Sequence, residues 1–140
     1  MNILVPVDGS EFTKRMLAYL AAHEEWLGAH HSYTVLHCAP GVPPRAAAVL
    51  DKATLKAYYD TETERVFKPI RTFFKQKGVA PQFVAKVGQA AEQIVALANK
   101  ERFDLLVLGS HGQSAFANLV LGSVATKVLA GCKTPVLLVR

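Results

Sequence analysis

Gly109, Ser110, His111 and Gly112, followed nine residues later by Gly122 and Ser123, are the residues whose types and spacing bear most directly on chemistry. Glycine at 109 and 112 allows positive φ values and lets the backbone approach a ligand with no Cβ in the way. Gly122 and Ser123 lead into a helical pattern, whose first N–H groups lack intrahelical partners and lie at the positive end of the helix dipole. The Ser123 hydroxyl adds a further donor. Such a cradle suits an anion, and phosphate is its natural guest. Asp8, closing the apolar run Ile3 to Val7, can accept a hydrogen bond from an amino group or a sugar hydroxyl. The same glycines also have plainer readings, since Gly-x-x-Gly punctuates many turns and Gly122 with Ser123 can be only a turn and an N-cap. His111 has no acid beside it in sequence, which favours a backbone or packing role over proton transfer. His23, His30, His31 and His37 form no ligand-like constellation, and no metal site made by protein groups alone is expected.

Other elements must hold these residues in place. Asn2 to Val7 is a short aliphatic run stopped by Asp8-Gly9-Ser10 and reads as a buried strand. Ser10 is placed to cap a helix in which Phe12, Met16, Leu20 and His23 recur at helical spacing, with Trp26 and Leu27 widening the stripe and Gly28 as its end. Ser32 to Cys38 reads as the second strand. Ala39 to Arg45, with three prolines and a glycine, reads as a surface loop. Ala46 to Lys77 is helical in pattern, with a kink or break expected at Pro69. Gly78 closes it, Pro81 to Val87 is a third strand, and Ala91, Ile94, Val95 and Ala98 mark the next helix. Asp104 to Gly109, a short helix from Ser123 to Ala130, and a strand from Thr134 to Arg140 complete the order. Strands alternating with helices imply a doubly wound α/β fold: a five-stranded parallel sheet, expected in the order 3-2-1-4-5, with helices on both faces. Ligands in such sheets bind beyond the carboxyl ends of the strands where the winding reverses, here strands one and four. The residues singled out above follow those two strands.

The totals agree with one globular domain over residues 1–140, at 51% hydrophobic and 19% charged content. No apolar run approaches the roughly 20 residues of a membrane span, and residues 1–7 lack the features of a signal peptide, so a cytoplasmic chain is expected. Cys38 and Cys132 belong to no CxxC pattern and read as half-buried thiols. The net charge is +5, but nine of the sixteen Lys and Arg residues lie between Arg45 and Lys86 among Asp51, Asp60, Glu62 and Glu64. That mixture describes a solvated helix face, and nucleic acid is not the expected partner.

Gly109-Ser110-His111-Gly112, nine residues, then Gly122-Ser123 resembles the G-x2-G-x9-G-[S/T] signature of the ATP-binding universal stress proteins. The blocks ILVPVDGS, TVLHC, FDLLVLGSHG and TPVLLVR resemble that family in the same order, so the likeness spans the whole chain. The resemblance implies ATP, AMP or ADP as ligand, with Mg²⁺ carried by the phosphates. It implies that Pro6 and Asp8 line an adenosine pocket, that the Cys38 backbone meets adenine, and that Leu108 and Gly109 lie against ribose. His111, Gly112, Gly122, Ser123 and Val124 would surround the phosphates. It also implies a homodimer through the last strand, Pro135 to Val139. One departure stands out: residues 113–121 carry no Lys or Arg, so a triphosphate would be met mainly by backbone dipoles and hydroxyls, with modest affinity.

The leading expectation is therefore a regulatory or stress-response nucleotide binder whose occupancy alters a dimer or an unidentified protein partner. A slow Mg²⁺-dependent hydrolase or phosphotransferase using Asp8, His111 and Ser123 stays open, as does a nucleotide-free interaction module. There is no Walker lysine. A receiver domain is excluded, because the third strand ends in Lys86-Val87-Gly88 without an acceptor aspartate.

Overall fold

The computed structural model describes residues 1–25, 28, 30–113, 118 and 120–140. The chain runs β1 (Asn2–Val7), α1 (Glu11–Ala22), β2 (Ser32–Ala39), α2 (Pro44–Ala48), α3 (Lys52–Gln76), β3 (Gln82–Val87), α4 (Ala90–Lys100), β4 (Leu105–Gly109), α5 (Ser123–Gly131) and β5 (Val136–Val139). The five strands form one sheet in the order β3-β2-β1-β4-β5, and every neighbouring pair is parallel. This is the doubly wound arrangement anticipated above, with β1 and β4 at the reversal.

Successive side chains of a strand point to opposite faces, and the core divides accordingly. Ile3, Val5 and Val7 pack with Met16, Leu17 and Leu20 of α1 and with Val66, Phe67, Ile70 and Phe74 of α3. Leu4, Leu36, Leu106 and Leu108 pack on the other face with Ala91, Ile94 and Ala98 of α4 and Ala125 and Val128 of α5. Ile3, Leu4 and Val5 have no exposed surface, as the near-continuous apolar character of β1 requires of a strand covered on both sides.

Several boundaries differ from the pattern-based reading. α1 stops at Ala22, not Gly28: His23 leaves helical geometry at φ −123°, and its Nδ1 donates to the Tyr19 carbonyl at 2.8 Å. Trp26 and Leu27 lie outside the described residues. Ser10 occupies the N-cap of α1, but its hydroxyl makes no capping bond, and its Oγ is buried without a hydrogen-bond partner among the described residues. The proline-rich loop is shorter than expected, because Pro44 opens α2, where its fixed φ suits a first helical turn and no N–H is needed.

The interruption of the long helix falls at Val49 to Asp51, not at Pro69. Asp51 caps α3 by accepting the Thr54 N–H at 2.6 Å, and α3 continues unbroken through Pro69. Pro69 and Arg65, whose carbonyl has no N–H partner at position 69, are both exposed. Val66, Phe67, Ile70 and Phe74 anchor the helix on both sides of the proline. The last strand is also shorter than anticipated, Val136–Val139, although the Pro135 carbonyl still accepts the Leu106 N–H.

Candidate functional site

The site begins with a split in the sheet. β1 is registered with β2 over its whole length, from Asn2 opposite Ser32 to Val7 opposite His37, but with β4 only at Ile3–Leu105 and Leu4–Leu106. Pro6 supplies a reason. The peptide groups of alternate strand residues point to the same edge, and the Asn2 carbonyl accepts from Asp104 N–H on the β4 side. Residue 6 therefore also faces β4, and proline has no N–H to continue that ladder. His37, buried in β2, donates through Nδ1 to the Val7 carbonyl at 2.9 Å and holds the end of β1 against β2. The gap on the β4 side opens as a cavity of about 260 Å³.

All ten residues named above as site candidates line this cavity. Its lining is mixed, with Pro6, Val7, Met16, Leu36, Cys38, Ile94 and Leu108 among the apolar residues and Asp8, Thr13, His111, Gln113 and Ser123 among the polar ones. A ligand with both an apolar part and polar or anionic groups matches that lining. Burial pushes the Cys38 thiol up to about 11, against a smaller opposing pull from Lys86. The thiol is therefore protonated near neutral pH and acts as a packing group, not a nucleophile.

The glycines serve close approach alone. None of Gly109, Gly112 and Gly122 has a positive φ, contrary to the expectation for 109 and 112; beside the site only Gly9 does, at 75° in the turn after β1. A Cβ at Gly109 would lie 3.2 Å from Phe12 Cβ, and one at Gly122 only 3.1 Å from His111 Cα. A Cβ at Gly112 would come within 2.7 Å of Asp8 Oδ2. Glycine is what lets the segments after β4 and before α5 touch. The Gly122 N–H donates to the Ser110 carbonyl at 2.8 Å, and Ser110 N–H donates to Val139 at 2.9 Å. His111 shares a 2.9 Å hydrogen bond with the Ser110 hydroxyl through Nδ1 and packs its ring 4.9 Å from that of Phe12.

The N-cap of α5 is Gly122, which has no side chain to cap with, and Ser123 is the first helical residue. Ser123, Val124 and Ala125, whose N–H groups have no acceptor within the helix, all line the cavity. That end of the helix is a donor array for an anion.

Asp8 is more occupied than its sequence position suggests. Its Oδ1 accepts the Ser10 N–H and the Thr13 hydroxyl, each at 2.9 Å, and Oδ2 accepts the Gln113 N–H at 3.2 Å. Thr13, Gln113 and His37 were not legible as site residues. Thr13 lies on the buried stripe of α1, where its spacing signals core; Gln113 meets Asp8 across 105 positions, which no spacing rule reveals. Among the described residues no group of three or more His, Cys, Asp or Glu side chains could hold a metal ion, and no helix is long and apolar enough to cross a membrane.

The chain falls within a known group, for residues 1–140 match the model of the Universal stress protein family. The chain belongs to the universal stress protein family. It is 34% identical over 140 residues to a universal stress protein of Thermus aquaticus, covering 99% of this chain and 98% of the relative. Among solved structures, that of a universal stress protein of Methanocaldococcus jannaschii superposes with a TM-score of 0.81 at 28% identity, covering 99% of this chain and 94% of that one. The universal stress protein of Archaeoglobus fulgidus, solved in complex with dAMP, shares the fold at a TM-score of 0.69 and 20% identity, covering 100% and 98% of the two chains.

Proposed function

We propose that this universal stress protein binds an adenine nucleotide in the crevice between β1 and β4, and that occupancy alters its dimer or partner state. The observation that carries the reading is the side-chain-uncapped start of α5, whose first three residues line a cavity with many apolar side chains and one carboxylate. The apolar lining suits a purine, Asp8 suits a sugar hydroxyl, and the first N–H groups of α5 suit phosphate. The dAMP held by the Archaeoglobus protein supports the adenine part of the reading.

ATP with Mg²⁺ is the form that the signature favours. Asp8 is the one carboxylate among the residues lining the cavity, and both its oxygens already accept protein donors. The residues present therefore do not make a Mg²⁺ site of their own, and the ion would travel on the phosphates. With no Lys or Arg at 113–121, the β- and γ-phosphates gain little, and ATP and AMP should bind within about tenfold of each other.

A regulatory role fits better than turnover, since Asp8 is already engaged by Ser10, Thr13 and Gln113 and keeps one acceptor position. Dimerisation would use β5, which lies at the sheet edge with Val136, Leu137 and Leu138 half-buried. Nucleotide analysis of the purified, denatured protein and calorimetric titration with ATP, ADP and AMP test the proposal. Retained adenine nucleotide or binding below millimolar concentration supports it. Absence of both overturns it, and steady-state ATP cleavage well above about 0.1 s⁻¹, lost in Asp8→Asn or His111→Ala, would favour the hydrolase instead.

A further inference from the structure

Gln113 makes two hydrogen bonds to one residue on the far side of the crevice. Its backbone N–H donates to Asp8 Oδ2 at 3.2 Å, and its side-chain Nε2 donates to the Asp8 carbonyl at 2.6 Å. The two residues belong to different walls: Asp8 follows β1, and Gln113 follows β4. Those are the strands whose direct pairing ends at Leu4 and Leu106. Where the backbone ladder has stopped, this clasp ties the two walls together by hydrogen bonds, beside the packing of His111 on Phe12.

Three features show that the clasp is built into the site. Asp8 is fixed from its own side by Ser10 N–H and the Thr13 hydroxyl on Oδ1, so its position does not depend on the clasp. A Cβ on Gly112 would fall 2.7 Å from Oδ2, so glycine is required for Gln113 to come this close. The acceptor count is also tight. A carboxylate offers about four acceptor positions, and three are used, leaving one on Oδ2 beside the Gln113 N–H.

We infer that Gln113 is a positioning residue that closes the mouth of the crevice over a bound nucleotide and presents a single acceptor of Asp8 to the sugar. The inference rests on the nucleotide-binding reading above. Two consequences follow. A ligand inside the clasp leaves only after the Gln113–Asp8 bonds open, so the clasp sets the dissociation rate more than the association rate. Asp8 has room for one hydroxyl donor, so removal of one of the two ribose hydroxyls should matter and removal of the other should not.

The test compares wild type with Gln113→Met, which keeps length and neutrality but removes the side-chain donor, and Gln113→Lys, which restores a donor. Stopped-flow measurements with a fluorescent AMP analogue should give about a tenfold faster dissociation for Gln113→Met, association within twofold, and recovery of slow dissociation for Gln113→Lys. Dissociation within twofold of wild type in Gln113→Met overturns the inference. So would equal losses of affinity for 2′-deoxy- and 3′-deoxy-AMP. Amide hydrogen exchange at Gln113 in ligand-free protein reads the clasp separately: protection that falls at least severalfold in Gln113→Met supports it, and unchanged protection overturns it. If wild type binds no adenine nucleotide, the functional reading fails and the exchange result alone decides the clasp.

Discussion

At the scale of single residues, the site depends on where a Cβ cannot go. Gly112→Ala would drive its new methyl into Asp8 Oδ2, 2.7 Å away, and displace the carboxylate or Gln113. AMP affinity should fall about tenfold, or about 1.4 kcal/mol, with the far-ultraviolet spectrum unchanged. Calorimetry checks this, and wild-type affinity in the variant would show that Asp8 is not part of the contact. Cys38 makes a second case. With its thiol raised from an ordinary 9.0 to about 11, the thiolate fraction at pH 8 is about 100-fold lower than for a free cysteine, and alkylation should slow by about that factor. Bound nucleotide should slow it further. Ten of the lining residues were named from the sequence: Asp8, Gly109, His111, Gly112, Gly122 and Ser123 because they follow two strand ends or match a spaced signature, and Pro6, Cys38, Leu108 and Val124 through the family resemblance alone. Their geometric reasons were not legible: the glycines at 109 and 112 looked like positive-φ positions, and only the packed structure shows them as close approaches, of Gly109 to Phe12 and of Gly112 to the Asp8 carboxylate.

At the scale of elements, α3 holds the main surprise. Proline in a helix interior costs about 3 kcal/mol relative to alanine, a penalty that the pattern alone converts into a break at Pro69. Burial of Val66, Phe67, Ile70 and Phe74 outweighs it, and Pro69 and Arg65, whose carbonyl is freed, are both exposed. Pro69→Ala should therefore stabilise the fold by roughly 2 kcal/mol, after allowing for the greater freedom that alanine gives the unfolded chain. Chemical denaturation measures it. A destabilised variant would mean that the packing of α3 requires the proline. The real break, at Val49 to Asp51, was hidden because Ala46 to Ala48 and the residues from Lys52 carry one continuous helix-forming composition, and only three residues, with Asp51 as the cap, separate them.

At the scale of the whole molecule, the strand order was open to reading because alternating strands and helices admit few topologies and the most apolar strands must lie at the centre. What was not readable is how the sheet splits: Pro6 lacks the donor that would face β4, and His37 holds Val7 to β2. Burial also sets the response of the fold to alkali. Cys38 rises to about 11, and Tyr33, chiefly by desolvation and despite a bond with the Gly28 backbone, to about 12. Both folded values exceed their ordinary values of 9.0 and 10.0, so the unfolded chain loses these protons first. The stability they contribute is complete below about pH 9 and is lost as pH rises through 11 and then 12. Thermal unfolding should show a falling Tm from about pH 9 upward. Cys38→Ala should flatten the first part of that fall and Tyr33→Phe the later part. An unchanged profile in both variants would place the alkaline transition elsewhere.

Under the proposed function, adenine nucleotide occupies the split between β1 and β4 with its phosphate at the start of α5. Backbone amide NMR during titration with AMP tests it most directly, because every N–H involved reports for itself. The largest shifts should fall on Gly109, Gly112, Ser123, Val124 and Ala125, together with Asp8, and should saturate at one equivalent. Shifts that cluster on another surface, or none at millimolar AMP, would contradict it.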